Sequence, residues 1–247
     1  MTDRVWATER TAMAAWTTHL GSGNAPTRVR SGVRVGIDGY PVPRLRGRLH
    51  QGAVIPTAFT GVTTMWLVDG MTARASVGVF TVSIVAMLTA SAVYHCHRDT
   101  PEGRLAARRV DHGTILVAIA GTQTAFWALI GPEVAVRWIV VGIWVVAAVG
   151  FRHKVTQLST TDSTGNWLFI ALGWSGAALI PWLLRAGVPV LLLVVTGGGA
   201  YSLGGLLLSR RIGNLWPGVI GYHEVWHALT ILGFCCHGAA IVLLTSG

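Results

Sequence analysis

Two histidines near the end of the chain have the spacing of metal ligands on one helix. His223 and His227 are four residues apart, and residues at this spacing stack on one face of an α-helix. The segment also spells H-E-x-x-H, the zincin signature in which Glu224 would be the general base. No acidic residue follows Glu224, and Gly233 and His237 do not have the metzincin spacing. We therefore interpret Glu224 as a solvated or interfacial carboxylate.

A third ligand and two further reactive side chains lie upstream. His95 ends an apolar stretch, and three neutral imidazoles plus water form a catalytic zinc pattern. Ser91 lies one turn before His95, where its hydroxyl could bind a ligand or stabilise an oxyanion; the alternative is a hydrogen bond to its own i−4 carbonyl. Asp111 could orient the water or take its proton, or could serve only as a carboxylate favoured by the helix dipole. These residues predict a Zn²⁺ site of His95, His223 and His227 with catalytic Ser91 and Asp111.

Two other histidines are not counted in this site. His237 is ten residues beyond His227, too far along a helix to bind the same ion, and we interpret it as a packed or hydrogen-bonded core residue. His112 follows Asp111 but faces a different direction on a helix.

Membrane helices are the elements that must position these residues. Hydrophobic residues make up 52% of the 247-residue chain and charged residues only 12%, with a mean hydropathy of +0.55. This composition leaves too little polar surface for a water-soluble globule. A membrane span takes about 20 mostly apolar residues. The sequence contains seven such stretches, at 50–68, 75–96, 110–130, 134–151, 166–185, 188–208 and 219–245.

The basic residues predict the orientation of these spans. With seven spans, sixteen of the 19 Lys and Arg residues fall on one side, and only Arg74, Arg137 and Arg185 fall on the other. The positive-inside rule then places the N-terminus in the cytoplasm and the C-terminus outside. Because the charges lie in the tail and loops, the net charge of +9 favours topology and lipid contact over nucleic-acid binding.

We therefore predict an all-α membrane protein, a seven-transmembrane helix bundle over residues 46–247. A basic, mostly disordered cytoplasmic tail is expected over residues 1–45. No cleavable signal peptide is expected, because residues 1–20 carry charges and lack a continuous apolar core. In this topology the candidate site residues all lie at cytoplasmic helix ends, at one depth in the membrane.

Several motifs together resemble the hemolysin III family, bacterial relatives of the progestin and adiponectin receptors. The motifs are Ser-Ala-Val-Tyr-His at 91–95, Val-Asp-His-Gly at 110–113 leading to Ala-Gly-Thr at 120–122, His-Glu-Val-Trp-His at 223–227 with His237 beyond, Pro-Arg-Leu-Arg-Gly at 43–47, and Tyr201, Arg210 and Trp-Pro-Gly at 216–218. One departure is Thr-Gln-Thr-Ala at 122–125, where many relatives carry an aromatic residue and then proline.

The resemblance implies a seven-helix membrane fold and a site. It implies zinc held by His95, His223 and His227, with Ser91 and Asp111 close by. Relatives include receptors with ceramide-hydrolysing activity and proteins named for haemolysis.

We therefore expect a zinc-dependent, ceramidase-like hydrolase of the cell membrane that acts on a lipid amide or ester entering between helices. Family members can carry Gln where this chain has Glu224, which argues against an essential zincin base. Three alternatives stay open: a non-catalytic zinc-containing sensor or homeostasis protein, a pore-forming cytolysin, and an intramembrane protease. The expected partner is a membrane lipid and not a nucleic acid.

Overall fold

The computed structural model of the chain describes residues 42–96, 100–158, 167–216 and 218–246. These residues fold into helices joined by short connections. Within these ranges the β pairing is limited to a single bridge between Trp216 and Ile220, so the all-α part of the prediction is confirmed. The predicted tail comprises residues 1–45, and residues 1–41 lie outside the described residues. The tail therefore stays a prediction.

The helices follow the order of the predicted spans. The first four are α1 (Arg48–Leu67), α2 (Met71–Cys96), α3 (Pro101–Ile130) and α4 (Glu133–Gln157). The next segment consists of α5 (Trp167–Trp174), a 3₁₀ helix (Ser175–Leu179) and α6 (Ile180–Ala186). The last two are α7 (Val188–Arg210) and α8 (Tyr222–Thr245). Each predicted stretch therefore corresponds to a helical segment.

Six of these segments are long and apolar enough to cross a membrane: α2, α3, α4, the combined segment Trp167–Ala186, α7 and α8. The chain is therefore a multi-pass membrane protein. Helix α1 has 20 residues, but it includes His50, Gln51, Pro56 and several threonines, which lower its hydropathy. The count of seven spans thus stays a prediction.

Helices α2 and α3 form the centre of the bundle. Their most apolar windows are 56% and 61% buried, against 17–28% in the other four candidate spans. Leu88 of α2 and Leu116 of α3 are fully buried. Helix α8 packs against α1, α2 and α3, which places its first turn beside the end of α2. In a bilayer the outward apolar surfaces of the peripheral helices contact lipid.

The broken fifth span shows how a neighbouring helix satisfies a freed carbonyl. The 3₁₀ helix directly precedes Pro181, which lies in the first turn of α6. On α3, the buried side-chain amide of Gln123 donates to the carbonyl of Leu172 and lies 3.1 Å from the hydroxyl of Ser175. The Thr-Gln-Thr-Ala segment therefore leaves α3 unbroken and stabilises the break in the adjacent span.

The glycine run of α7 is asymmetric in its packing. A Cβ at Gly197 would lie 2.6 Å from the ring of His237, whereas Gly198 and Gly199 have nothing within 4 Å. Gly197 therefore permits close packing of α7 on α8, whereas Gly198 and Gly199 have no such neighbour among the described residues.

Candidate metal centre

The structure brings the three predicted ligands together at one end of the bundle. His95 lies in the last turn of α2, and His223 and His227 lie in the first two turns of α8. One ligand nitrogen from each residue can be chosen so that all three lie within 4.8 Å of one another. The Nε2 atoms of His95 and His223 are 3.2 Å apart. The three imidazoles therefore converge as the spacing analysis predicts.

This cluster fits a metal ion. Two imidazole nitrogens that bind one zinc ion at 2.0–2.1 Å with tetrahedral angles are about 3.3 Å apart, close to the 3.2 Å between His95 and His223. The ring of His227 is 5.1 Å from that of His95 and 4.7 Å from that of His223. Three neutral imidazoles suit zinc and other first-row metals. The donor set and its geometry can therefore hold one such cation.

The segment before α1 is hydrogen-bonded to the loop that precedes α8. The backbone N–H groups of Arg44 and Leu45 donate to the carbonyls of Gly218 and Val219, at 3.0 and 3.2 Å. These carbonyls belong to the loop that leads into α8. Residues 43–45 therefore pack with the helical unit and help to set the position of the first turn of α8.

Gly47 allows this segment to approach the end of α2. Its φ of 77° lies in the left-handed region that glycine adopts without strain. A Cβ at this position would lie 2.4 Å from the Cβ of His95 and 2.9 Å from the Sγ of Cys96. A larger residue would therefore displace His95 from the cluster.

Glu224 is buried, so its interpretation as a solvated carboxylate is wrong. The residue is only 1% exposed. One carboxylate oxygen accepts a hydrogen bond from the Nε of Arg46 at 2.5 Å, and the other accepts from the backbone N–H of Gly221 at 2.7 Å. Arg46 is 178 positions away in sequence, and residue spacing along one helix cannot reveal such a partner. With both oxygens engaged, Glu224 caps α8 and anchors the segment before α1.

Ser91 contacts a histidine that the sequence analysis did not include. Both residues are 2% exposed, and the hydroxyl of Ser91 lies 2.9 Å from the Nδ1 of His50 in the first turn of α1. The ring of His50 also stacks on that of His227, with a centroid distance of 3.8 Å and an interplanar angle of 15°. The available signal was an imidazole at the end of an apolar stretch, the criterion that identified His95.

Asp111 lies beside the three-histidine group and is not one of its members. It is 7% exposed, and its charge interacts electrostatically with His95 and His50. A carboxylate oxygen lies 3.4 Å from the Nδ1 of His112, and the same nitrogen donates to the carbonyl of Arg108 at 3.0 Å. His112 therefore contacts the predicted catalytic carboxylate, whose own role stays a prediction.

His237 lies apart from this cluster, as its position along α8 predicts. Its Nε2 donates to the carbonyl of Val194 at 3.2 Å. Its ring lies 5.6 Å from that of Tyr201 and 5.7 Å from that of Phe126. The interpretation of His237 as a packed, hydrogen-bonded core residue is confirmed.

The fold and this cluster define a multi-pass α-helical membrane protein with a histidine group able to hold a metal ion at one end of its bundle. Residues 40–238 match the family described as Haemolysin-III related, so the chain belongs to that family. The Hemolysin-3 homolog of Bacillus subtilis (strain 168) is 26% identical over 162 residues, which are 63% of this chain and 70% of that protein. The family resemblance seen in the motifs and the location in the cell membrane are thereby confirmed.

Proposed function

We propose that the chain is a zinc-dependent integral membrane hydrolase that acts on an amide or ester bond of a lipid. The observation that carries this proposal is the convergence of His95, His223 and His227, with ligand atoms within 4.8 Å of one another. In the described ranges the group comprises three protein ligands, which is the number that catalytic zinc sites use when the fourth position serves water or substrate. This supports hydrolysis over a purely structural metal site.

The residues around the cluster supply the remaining chemistry. A zinc ion held by His95, His223 and His227 would supply Lewis-acid chemistry, polarising a carbonyl and lowering the pKa of a bound water to near neutral. Asp111, buried next to the cluster, accepts the proton from the attacking water and can return it to the leaving group. The hydroxyl of Ser91 donates a hydrogen bond to the carbonyl oxygen as negative charge develops on it.

The same proposal includes α1 as a seventh span and a cytoplasmic N-terminus. The sixteen-to-three division of Lys and Arg residues supports this orientation. The cluster would then lie near the inner-leaflet headgroups, where the amide and ester linkages of lipids are found. Cysteine labelling tests this orientation. In a cysteine-free background, Asp69→Cys should react with an impermeant thiol reagent added to intact cells, and Ile212→Cys should not.

Hydrolysis is tested by comparing purified wild type with His227→Ala on a panel of ceramides and glycerolipids, with release of fatty acid as the readout. Removal of a metal ligand should reduce the rate by more than about 100-fold. His153→Ala, a change at a histidine near the C-terminus of α4 and outside the three-histidine group, serves as the control and should keep the wild-type rate. Equal rates for wild type and His227→Ala would reject the catalytic proposal.

Membrane permeabilisation is a second function, favoured by the name of the Bacillus subtilis relative, which refers to haemolysis. Dye release from liposomes on addition of the purified protein, unchanged in His227→Ala, would favour this function. Hydrolysis without dye release would favour the enzyme.

A further inference from the structure

We propose that His50 is a positioning residue of the metal centre, which fixes the ring plane of His227 by stacking and orients the hydroxyl of Ser91 by a hydrogen bond. The inference rests on the proposed function, because it assigns His50 a role in that same site. It makes the first turn of α1 a part of the centre, in addition to the ends of α2 and α8.

The ring of His227 lacks the hydrogen bond that usually orients a metal-binding imidazole. Histidines that bind metal usually donate their second ring nitrogen to a carbonyl, a carboxylate or water, which fixes the ring orientation. With the ion bound at the Nε2 of His227, its second ring nitrogen is Nδ1, which is buried and has no hydrogen-bond partner in the part of the chain that the structure describes. His50 covers one face of this ring at 3.8 Å and 15°, whereas His95 and His223 meet it at 61° and 72°. The stacked ring therefore supplies the orienting contact that a hydrogen bond supplies elsewhere.

The hydroxyl of Ser91 is the second group that His50 contacts. With its Nδ1 protonated, His50 donates a hydrogen bond to the Oγ of Ser91 across the observed 2.9 Å. The hydroxyl hydrogen of Ser91 is then directed away from His50 and can be donated to the oxygen of a substrate. His50 thus acts through Ser91 and His227 without binding the ion.

The burial of His50 also requires an explanation. A polar imidazole that is 2% exposed in a membrane helix is costly unless specific contacts offset its desolvation. The hydrogen bond to Ser91 and the stack on His227 are such contacts, and both partners belong to the predicted site.

Two substitutions separate the two contacts. His50→Phe keeps an aromatic face for His227 but removes the nitrogen that contacts Ser91. His50→Asn keeps a polar group near the position of Nδ1 but removes the aromatic face. Both are made in the full chain, alongside Ser91→Ala, and His153→Asn is the control.

The measurements are zinc affinity, by competition with a chromophoric chelator, and the visible spectrum of the Co²⁺-loaded protein in detergent. We expect His50→Asn to weaken zinc binding by about tenfold or more, as in other sites that lose an orienting partner, and to shift the Co²⁺ spectrum. His50→Phe should restore both to near wild type. In hydrolysis, His50→Phe should lose as much rate as Ser91→Ala, and the double variant should lose no more.

Each result decides the inference. Wild-type zinc affinity in His50→Asn, or equal losses of zinc affinity in the Asn and Phe variants, would overturn it, because the aromatic face on His227 is the contact that only the Phe variant keeps. If His50→Asn does not fold, additive rate losses for His50→Phe and Ser91→Ala would overturn it. A wild type that binds zinc but cleaves no lipid rejects the hydrolase alone, because the affinities still decide the role of His50. A wild type that binds no metal rejects both.

Discussion

Helix α8 carries two histidines in opposite settings, the buried His227 and the partly buried His237. Each has a buried Nδ1 atom without a hydrogen-bond partner in the described residues, so an unpaired nitrogen does not distinguish them. The other surroundings do. His227 faces the imidazoles of His95 and His223, whereas His237 donates to the carbonyl of Val194 at 3.2 Å. Convergence of nitrogens indicates a metal site, and a carbonyl partner indicates a structural histidine.

Removal of one of the three converging imidazoles should have the largest effect, a loss of metal affinity that removal of His237 does not cause. His223→Ala should lower metal affinity by more than roughly 100-fold, beyond the loss expected for an orienting residue, because two imidazoles are a poor zinc site. His237→Ala should keep the metal. Metal analysis of the detergent-purified variants measures this, and equal metal content in wild type and His223→Ala would show that the cluster is not a metal centre.

Substitution of Glu224 tests whether this residue stabilises the fold or takes part in catalysis. Glu224→Ala should lower the free energy of unfolding by about 3 kcal/mol, because it leaves Arg46 largely buried without its partner. Arg46 is 12% exposed at its side chain, so solvent offsets only part of this cost. The measurement is thermal unfolding in detergent.

Glu224→Gln is the matched variant, because an amide oxygen can still accept from Arg46 or Gly221. It should fold with a smaller loss of stability and keep both metal and hydrolysis. A folded Glu224→Gln protein that binds zinc but has lost turnover would instead support the zincin mechanism.

The glycines beside His237 test whether its surroundings are as tightly packed as the distances indicate. Gly197→Ala should destabilise the protein by about 2 kcal/mol, because its Cβ would lie 2.6 Å from the ring of His237 and 2.9 Å from the carbonyl oxygen of Gly233. Gly198→Ala is the control and should be close to neutral, since nothing lies within 4 Å of its Cβ. Equal unfolding temperatures for the two variants would contradict the packing of α7 on α8.

The smallest expected effect is that of His237→Leu. It removes the hydrogen bond to Val194 while keeping an apolar side chain, so we expect a loss of about 1 kcal/mol and unchanged zinc affinity. Thermal unfolding and chelator competition measure the two quantities. A fall in zinc affinity without loss of stability would show that the two regions of α8 are coupled.

Much of the fold and of the ligand set was predictable because its signals are local. Apolar stretches long enough to span a bilayer identify the helices, and the four-residue spacing of His223 and His227 places both rings on one helix face. His95 was predictable because an ionisable residue at the end of a span is costly and therefore informative.

Only the tertiary structure decided which distant side chains meet. Arg46 and Glu224 are 178 positions apart, and nothing in the spacing around Glu224 reveals that Arg46 makes it a buried ion-pair partner and not a solvated carboxylate. The position of His50 at the end of an apolar stretch was a signal of function, but its partners, the ring of His227 and the hydroxyl of Ser91, followed only from the structure. Residue types and periodicity determine which groups lie on one face of one helix, whereas the pairing of faces depends on how helices pack against one another.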